Sequence, residues 1–160
     1  YPALRQEDTG GSRDDGELEV DKGVVEKVYG GIDRLGMRSN CLFVDPVHDI
    51  EKYFRASDIF VLPSRREGLP NALLEAMACG LCCIANRLRG ITDYIIEPEE
   101  NGYLLDTLEP NSIVNALKNT IGNRSLQARL GHNAHLKVER VFNAEQIKTR
   151  YKELYLNLLK

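Results

Sequence analysis

The chain has 160 residues, 42% of them hydrophobic and 28% charged, with a net charge of −3. That is the make-up of an ordinary globular domain with room for a sizeable core. The slight acidic excess argues against a general nucleic-acid binder, and no apolar run approaches the roughly 20 residues needed to span a bilayer.

Residues 1–21 are polar and carry Gly10, Gly11 and Gly16 among many charges. They read as a lead-in loop with too little apolar surface to order itself, and they lack the apolar core of a signal peptide. From Lys22 to Leu35 the apolar residues Val24, Val25, Val28, Ile32 and Leu35 recur at helical spacing, and Gly36 is placed to end that helix. "CLFV" (Cys41 to Val44) reads as a short buried strand. Asp49 is a candidate N-cap for the helix "IEKYFRAS". "IFVLP" (Ile59 to Pro63) is a second strand. A helix from about Pro70 to Cys79 follows, with Pro70 suited to its first position. "CCIA" (Cys82 to Ala85) is a third strand, "ITDYII" a short helix, and "GYLL" (Gly102 to Leu105) a fourth strand. Three helices close the chain, at about Asn111 to Ile121, Ser125 to Val141 and Ala144 to Leu159.

Strands that alternate with helices and are apolar throughout specify an α/β fold: a Rossmann-like parallel sheet with helices on both faces. Such sheets take ligands beyond the carboxyl ends of their strands. Three loops are expected on that edge: "DPVHD", "SRREGLP" and "NRLRGIT". Two of them carry arginine pairs, Arg65/Arg66 and Arg87/Arg89, and glycines, Gly68 and Gly90. The helix starting near Pro70 aims its free N–H groups the same way. Arginine, glycine and a helix N-terminus together suggest a phosphate site, although arginines on loops are often only solvated.

Two glutamates bracket this region. Glu75 lies among Ala72, Leu73, Leu74, Ala76, Met77 and Ala78, a helix expected to be mostly buried. A buried carboxylate needs hydrogen-bond donors, and the vicinal hydroxyls of a ribose would supply two; a structural ion pair or an exposed helix face is the alternative. Glu67 sits in the turn before the helix, where it could bind a sugar hydroxyl or balance charge at a reacting centre, or be an ordinary surface acid.

Cys79 and Cys82 form a C-x-x-C, and Cys41 and Cys83 complete the cysteines. A redox pair requires an acidified thiol, usually at a helix N-terminus, whereas Cys79 ends a helix. Cys82 and Cys83 are adjacent in a strand and point to opposite faces, which suits no zinc site. Small, reduced, buried thiols in a cytoplasmic protein are the simpler reading. His48 follows the first expected strand and suits capping or solvation more than a base contact. His132 and His135 lie on a terminal helix and read as surface residues.

With seven residues between Glu67 and Glu75, the run "ASDIFVLPSRREGLPNALLEAMACG" closely resembles the E-x7-E region of family 4 retaining glycosyltransferases (glycosyl transferases group 1), enzymes of two-domain GT-B architecture. "RGITDYIIEPEENGYLL" and "RLGMRSNCLFVDPVHDIEKYFRASD" are similar to the flanking parts of that family's C-terminal domain. The resemblance covers roughly Lys22 to Leu105. It implies that residues 22–160 form a C-terminal nucleotide-sugar-binding domain and that the donor is a nucleoside-diphosphate sugar. Glu75 would hold the ribose and Glu67 would contact the sugar near the reacting centre. Gly68, Leu69, Pro70 and Asn71 would lie along sugar and diphosphate, with Arg65, Arg66 and Gly90 beside them. Val44 to Val47 would flank the base. No metal or cofactor is implied, because cationic side chains and helix dipoles neutralise the diphosphate.

Two departures stand out: Cys82 where relatives often have proline, and Arg89 where many have a second glycine. The family's domain also begins with a strand, a basic phosphate loop and a further strand that are not seen before Tyr1, and its N-terminal acceptor domain is not seen either. The chain is therefore expected to be an incomplete C-terminal half without turnover of its own. The parent enzyme would be a cytoplasmic hexosyltransferase acting on a glycan, lipid or small molecule, with room for peripheral contact at the inner membrane face. Two other readings stand beside this one. One is a non-catalytic nucleotide- or partner-binding module on the same sheet. The other makes Glu67 and Glu75 a glycoside hydrolase pair, which needs both carboxylates to flank one bond at roughly 5–9.5 Å.

Overall fold

A computed structural model describes residues 22–159. The expected lead-in at 1–21 lies outside them. The chain divides into two compact units between Pro46 and Val47.

In the first unit, α1 (Lys22–Arg34) forms where the helical spacing places it, and Gly36 ends it at φ +65°. A short 3-10 turn, Arg38–Asn40, follows. The Tyr29 and Phe43 rings meet at 4.5 Å between centroids, and the Arg38 guanidinium sits 4.5 Å from the centre of the Tyr29 ring. The expected strand at Cys41–Val44 is not a strand. An apolar run becomes a strand only when a neighbouring edge accepts its N–H and C=O groups. Among the described residues Cys41–Val44 has no ladder partner, and Leu42, Phe43 and Val44 are exposed.

The second unit holds α2 (Ile50–Arg55), β1 (Ile59–Leu62), α3 (Asn71–Ala78), β2 (Cys82–Asn86), α4 (Thr92–Ile95), β3 (Tyr103–Leu105), α5 (Pro110–Thr120), α6 (Arg124–Val141) and α7 (Ala144–Leu158). The strands lie in the order β1-β2-β3, all parallel. β2 is central and buried, and its side chains alternate between two cores. Cys83 and Ala85 pack with Leu73 and Met77 of α3 and Ala134 of α6. Ile84 faces the other way, onto Leu105 and Ala116 of α5. Both faces of the sheet are thus covered, as the continuous apolar strands require.

The helix ends differ in detail from the sequence reading. Asp49 sits at the N-cap of α2, but its carboxylate makes no capping bond and instead accepts from Lys52 Nζ at 2.6 Å. Pro70 occupies the N-cap of α3 rather than its first turn. Asn123 and Asn143 cap α6 and α7 by accepting from the Leu126 and Glu145 N–H groups.

α6 approaches the turn after α3 closely enough to exclude any side chain. A Cβ on Gly131 would lie 1.9 Å from the Gly80 carbonyl oxygen. Alanine normally improves a helix interior by about 1 kcal/mol over glycine. Here Gly131→Ala should instead destabilise by about 1–3 kcal/mol, the usual cost of overpacking, read as a lower urea midpoint. A midpoint at or above wild type would contradict this packing.

Candidate functional site

Because the strands are parallel, β1, β2 and β3 deliver their following loops to one edge. The β1 loop runs from Pro63 to Pro70, the β2 loop from Arg87 to Ile91, and the β3 loop from Asp106 to Glu109.

The β1 loop and the start of α3 carry most of the expected contacts. Arg65 and Arg66 are exposed and make no ion pair or hydrogen bond among the described residues. The backbone N–H groups of residues 65–69 likewise have no acceptor among the described residues. Glu67 is half-buried, and its carboxylate has no partner among the described residues. Gly68, Leu69 and Asn71 are exposed, while Pro70 is buried beneath them. Unpaired donors next to a helix N-terminus form an electropositive spot suited to an anion.

Glu75 corrects one expectation. α3 is not buried all round: Leu73, Ala76 and Met77 face the core, while Ala72, Glu75 and Ala78 are exposed. The carboxylate therefore needs no internal donor and makes no hydrogen bond. It lines an open cavity of about 410 Å³ with His48, Asp49, Phe54, Arg55 and Cys79. His48 lines the same cavity. Arg55, unforeseen there, is held to Glu51 at 2.7 Å. Val47 is not among the residues lining this cavity, and Val44 belongs to the first unit.

A second cavity, of about 530 Å³, opens at the strand ends between Arg65, Asn86, Arg87, Asp106, Thr107 and Glu109. Here the arginine pairs separate in role. Arg87 is tied to the Asp106 carboxylate, whereas Arg89 is exposed and unpaired. Gly90 adopts φ +75°, a conformation that favours glycine, but its N–H is already donated to Asp93 Oδ1 at 2.7 Å. It can let a ligand approach without supplying that bond. The segment from Arg65 to Glu75 thus reaches from one cavity to the other.

The cysteines are free thiols. Burial pushes Cys82 up to about 11, and pushes Cys83 and Cys79 up as well. That is opposite to what a redox nucleophile needs. Among the described residues no group of His, Cys, Asp and Glu is placed to hold a metal, and no helix is long and apolar enough to cross a membrane. His135 is exposed, as expected, with Nδ1 2.8 Å from the Ala78 carbonyl oxygen.

Residues 21–137 match the family model described as glycosyl transferases group 1. The chain is 30% identical over 125 residues to the UDP-Gal:alpha-D-GlcNAc-diphosphoundecaprenol alpha-1,3-galactosyltransferase of Escherichia coli, covering 78% of this chain and 32% of that protein. It spans about a third of the length of the curated relatives it matches. Its fold superposes on Anabaena HepE, solved in complex with UDP-glucose, with a TM-score of 0.80 and 23% identity over 88% of this chain and 38% of that one. It also superposes on the C-terminal domain of a glycosyl transferase group 1 family protein (LpcC) from Francisella tularensis, with a TM-score of 0.69 and 26% identity over 78% of this chain and 65% of that one.

The thiols give a pH test. Folding favours neutral Cys82, so its contribution is fully present below its ordinary value of 9.0 and is lost as pH rises towards about 11. The gap in unfolding free energy between wild type and Cys82→Ala should narrow across that interval. A gap independent of pH would contradict the burial argument.

Proposed function

Because this chain belongs to the glycosyl transferases group 1 family, we propose that it is the donor-binding part of a family 4 retaining glycosyltransferase of GT-B architecture. The donor is a nucleoside-diphosphate sugar, and the parent enzyme passes the sugar to an acceptor with retention of configuration. The observation that carries this reading is the meeting of unpaired donors and an unpaired carboxylate along one short segment. Among the described residues Arg65, Arg66 and the N–H groups of residues 65–69 lack partners, and so does Glu75, which faces an open cavity.

Each group then has a role its surroundings allow. Glu75 accepts hydrogen bonds from the two ribose hydroxyls, with His48 and Arg55 lining the nucleoside's side of the cavity. The diphosphate lies over the start of α3, where Gly68 and Leu69 offer backbone N–H groups, Pro70 holds the turn, and Asn71 lies alongside with its own N–H already donated to the Leu69 carbonyl. Arg65, Arg66 and Arg89 supply positive charge. Their work is greatest when the sugar–phosphate bond breaks and charge moves onto the departing diphosphate. That charge is met without a metal ion. Glu67, half-buried and unpaired, contacts the sugar beside the reacting centre as its anomeric carbon acquires oxocarbenium character. Gly90 allows the sugar close to the β2 loop, and Val47 flanks the base. The named donor of the E. coli relative, UDP-Gal, and the UDP-glucose bound by HepE make UDP the first nucleotide to test.

Ligand-observed NMR with UDP, GDP, ADP and their sugar conjugates tests the proposal. One nucleotide should bind selectively. Glu75→Ala should weaken it by about 10- to 100-fold, since hydrogen bonds to a charged group contribute about 1.5–3 kcal/mol. Its unfolding midpoint should hardly move, because the carboxylate is exposed and unpartnered. No binding by wild type, or equal binding by the variant, would contradict the assignment.

A further inference from the structure

The two loops that carry Arg65 and Arg89 are fastened to each other through one residue. Asn86 is the last residue of β2, in register with Leu105 of β3. Its side-chain Nδ2 donates to the Ser64 carbonyl at 3.0 Å, holding the first residue ahead of Arg65. Its own carbonyl accepts from the Thr92 hydroxyl at 2.6 Å. That hydroxyl also accepts from the Leu88 N–H at 2.7 Å. Thr92 is only 1% exposed, a polar side chain enclosed at the foot of the β2 loop with both bonds satisfied.

The geometry closes the loop on itself. Leu88 begins the turn, Thr92 ends it, and one hydroxyl joins them to the strand. The Ile91 N–H returns to the Leu88 carbonyl at 3.0 Å, and the Gly90 N–H goes to Asp93. Arg89 stands at the tip of this ring, free of any partner. A β-branched side chain has little freedom at χ1, so the Thr92 oxygen is fixed when the backbone of α4 is fixed. Valine keeps that shape and loses both bonds, leaving the Asn86 carbonyl and Leu88 N–H unanswered.

We propose that Thr92 and Asn86 are positioning residues for the donor's diphosphate–sugar end, acting through the β1 and β2 loops. This rests on the donor reading above. Neither residue needs to touch the ligand: Thr92 is enclosed, and the Asn86 amide is committed to Ser64. Their effect should therefore fall on the phosphates and sugar, which the loops hold, and spare the nucleoside at the Glu75 cavity. A merely structural threonine would give no such split.

The test compares wild type, Thr92→Val and Thr92→Ser well below their unfolding temperatures. Each is titrated with uridine, UDP and UDP-glucose, and amide exchange is followed at Leu88 and Gly90. The expected result for Thr92→Val is a UDP Kd raised at least about ten-fold, or roughly 1.4 kcal/mol, with uridine within two-fold of wild type. Leu88 and Gly90 should exchange faster, and Thr92→Ser should restore both readouts. Unchanged UDP affinity in Thr92→Val overturns the proposal. So does a uniform loss across uridine and UDP that tracks a lowered unfolding midpoint. A wild-type chain that binds no UDP overturns the donor reading itself, which separates the two failures. If Thr92→Val does not fold, Asn86→Ala is titrated in its place, and wild-type UDP affinity in that variant overturns the proposal equally.

Discussion

A parallel ladder obliges the chain to cross back over the sheet before each new strand, so β1, β2 and β3 all finish at the same edge and their loops are neighbours by necessity. The crossovers are α3 between β1 and β2, and α4 between β2 and β3. α3 starts where the β1 loop ends, so its N-terminus lies on the edge the loops share. The sheet's direction thus brings loop N–H groups, a helix N-terminus and arginines to one place without any long-range search. β2 makes this possible because it is the strand paired on both sides and buried on both faces.

The electrostatics of that edge run against the chain as a whole, which is acidic by three charges. Arg65, Arg66, Arg87 and Arg89 stand there, and among the described residues only Arg87 is matched, by Asp106. Exposed ion pairs add little to stability. The unmatched arginines gain nothing for the fold from their positions, and they leave positive charge available to a ligand. The same logic distinguishes Glu75 from Glu97, which is bonded to Lys137 and whose carboxyl is held below its ordinary value by that bond. Glu97 has its partner already; Glu75 faces an open cavity without one.

The helices and the strands β1 and β2 were legible in the sequence for physical reasons. α5, α6 and α7 end within a residue or so of their expected limits because their apolar spacing marks them, and in α6 and α7 the caps Asn123 and Asn143 reinforce the boundary. β1 and β2 were legible as short apolar runs bounded by turn residues. Cys41–Val44 looked the same, yet strand character depends on a partner edge that composition cannot reveal. The burial of α3 was less legible for another reason: alanine suits a buried or an exposed helix face equally, so Ala72 and Ala78 made α3 look enclosed when they are exposed. The arginine-bearing loops could be assigned to one edge from strand order alone. The division of labour among the arginines, the burial of Thr92 and the grip of Asn86 on Ser64 are facts of packing that no spacing encodes.

The proposed donor site is the carboxyl edge of the sheet, from Ser64 to Glu75 and from Asn86 to Ile91. Chemical-shift mapping of the 15N-labelled chain during a UDP-glucose titration addresses it most directly. Saturable shifts are expected at Arg65 to Asn71, Glu75 and Arg87 to Gly90, with α7 unmoved. Saturable shifts confined to α6 and α7, or to the cavity between Glu97 and Arg140, would contradict it.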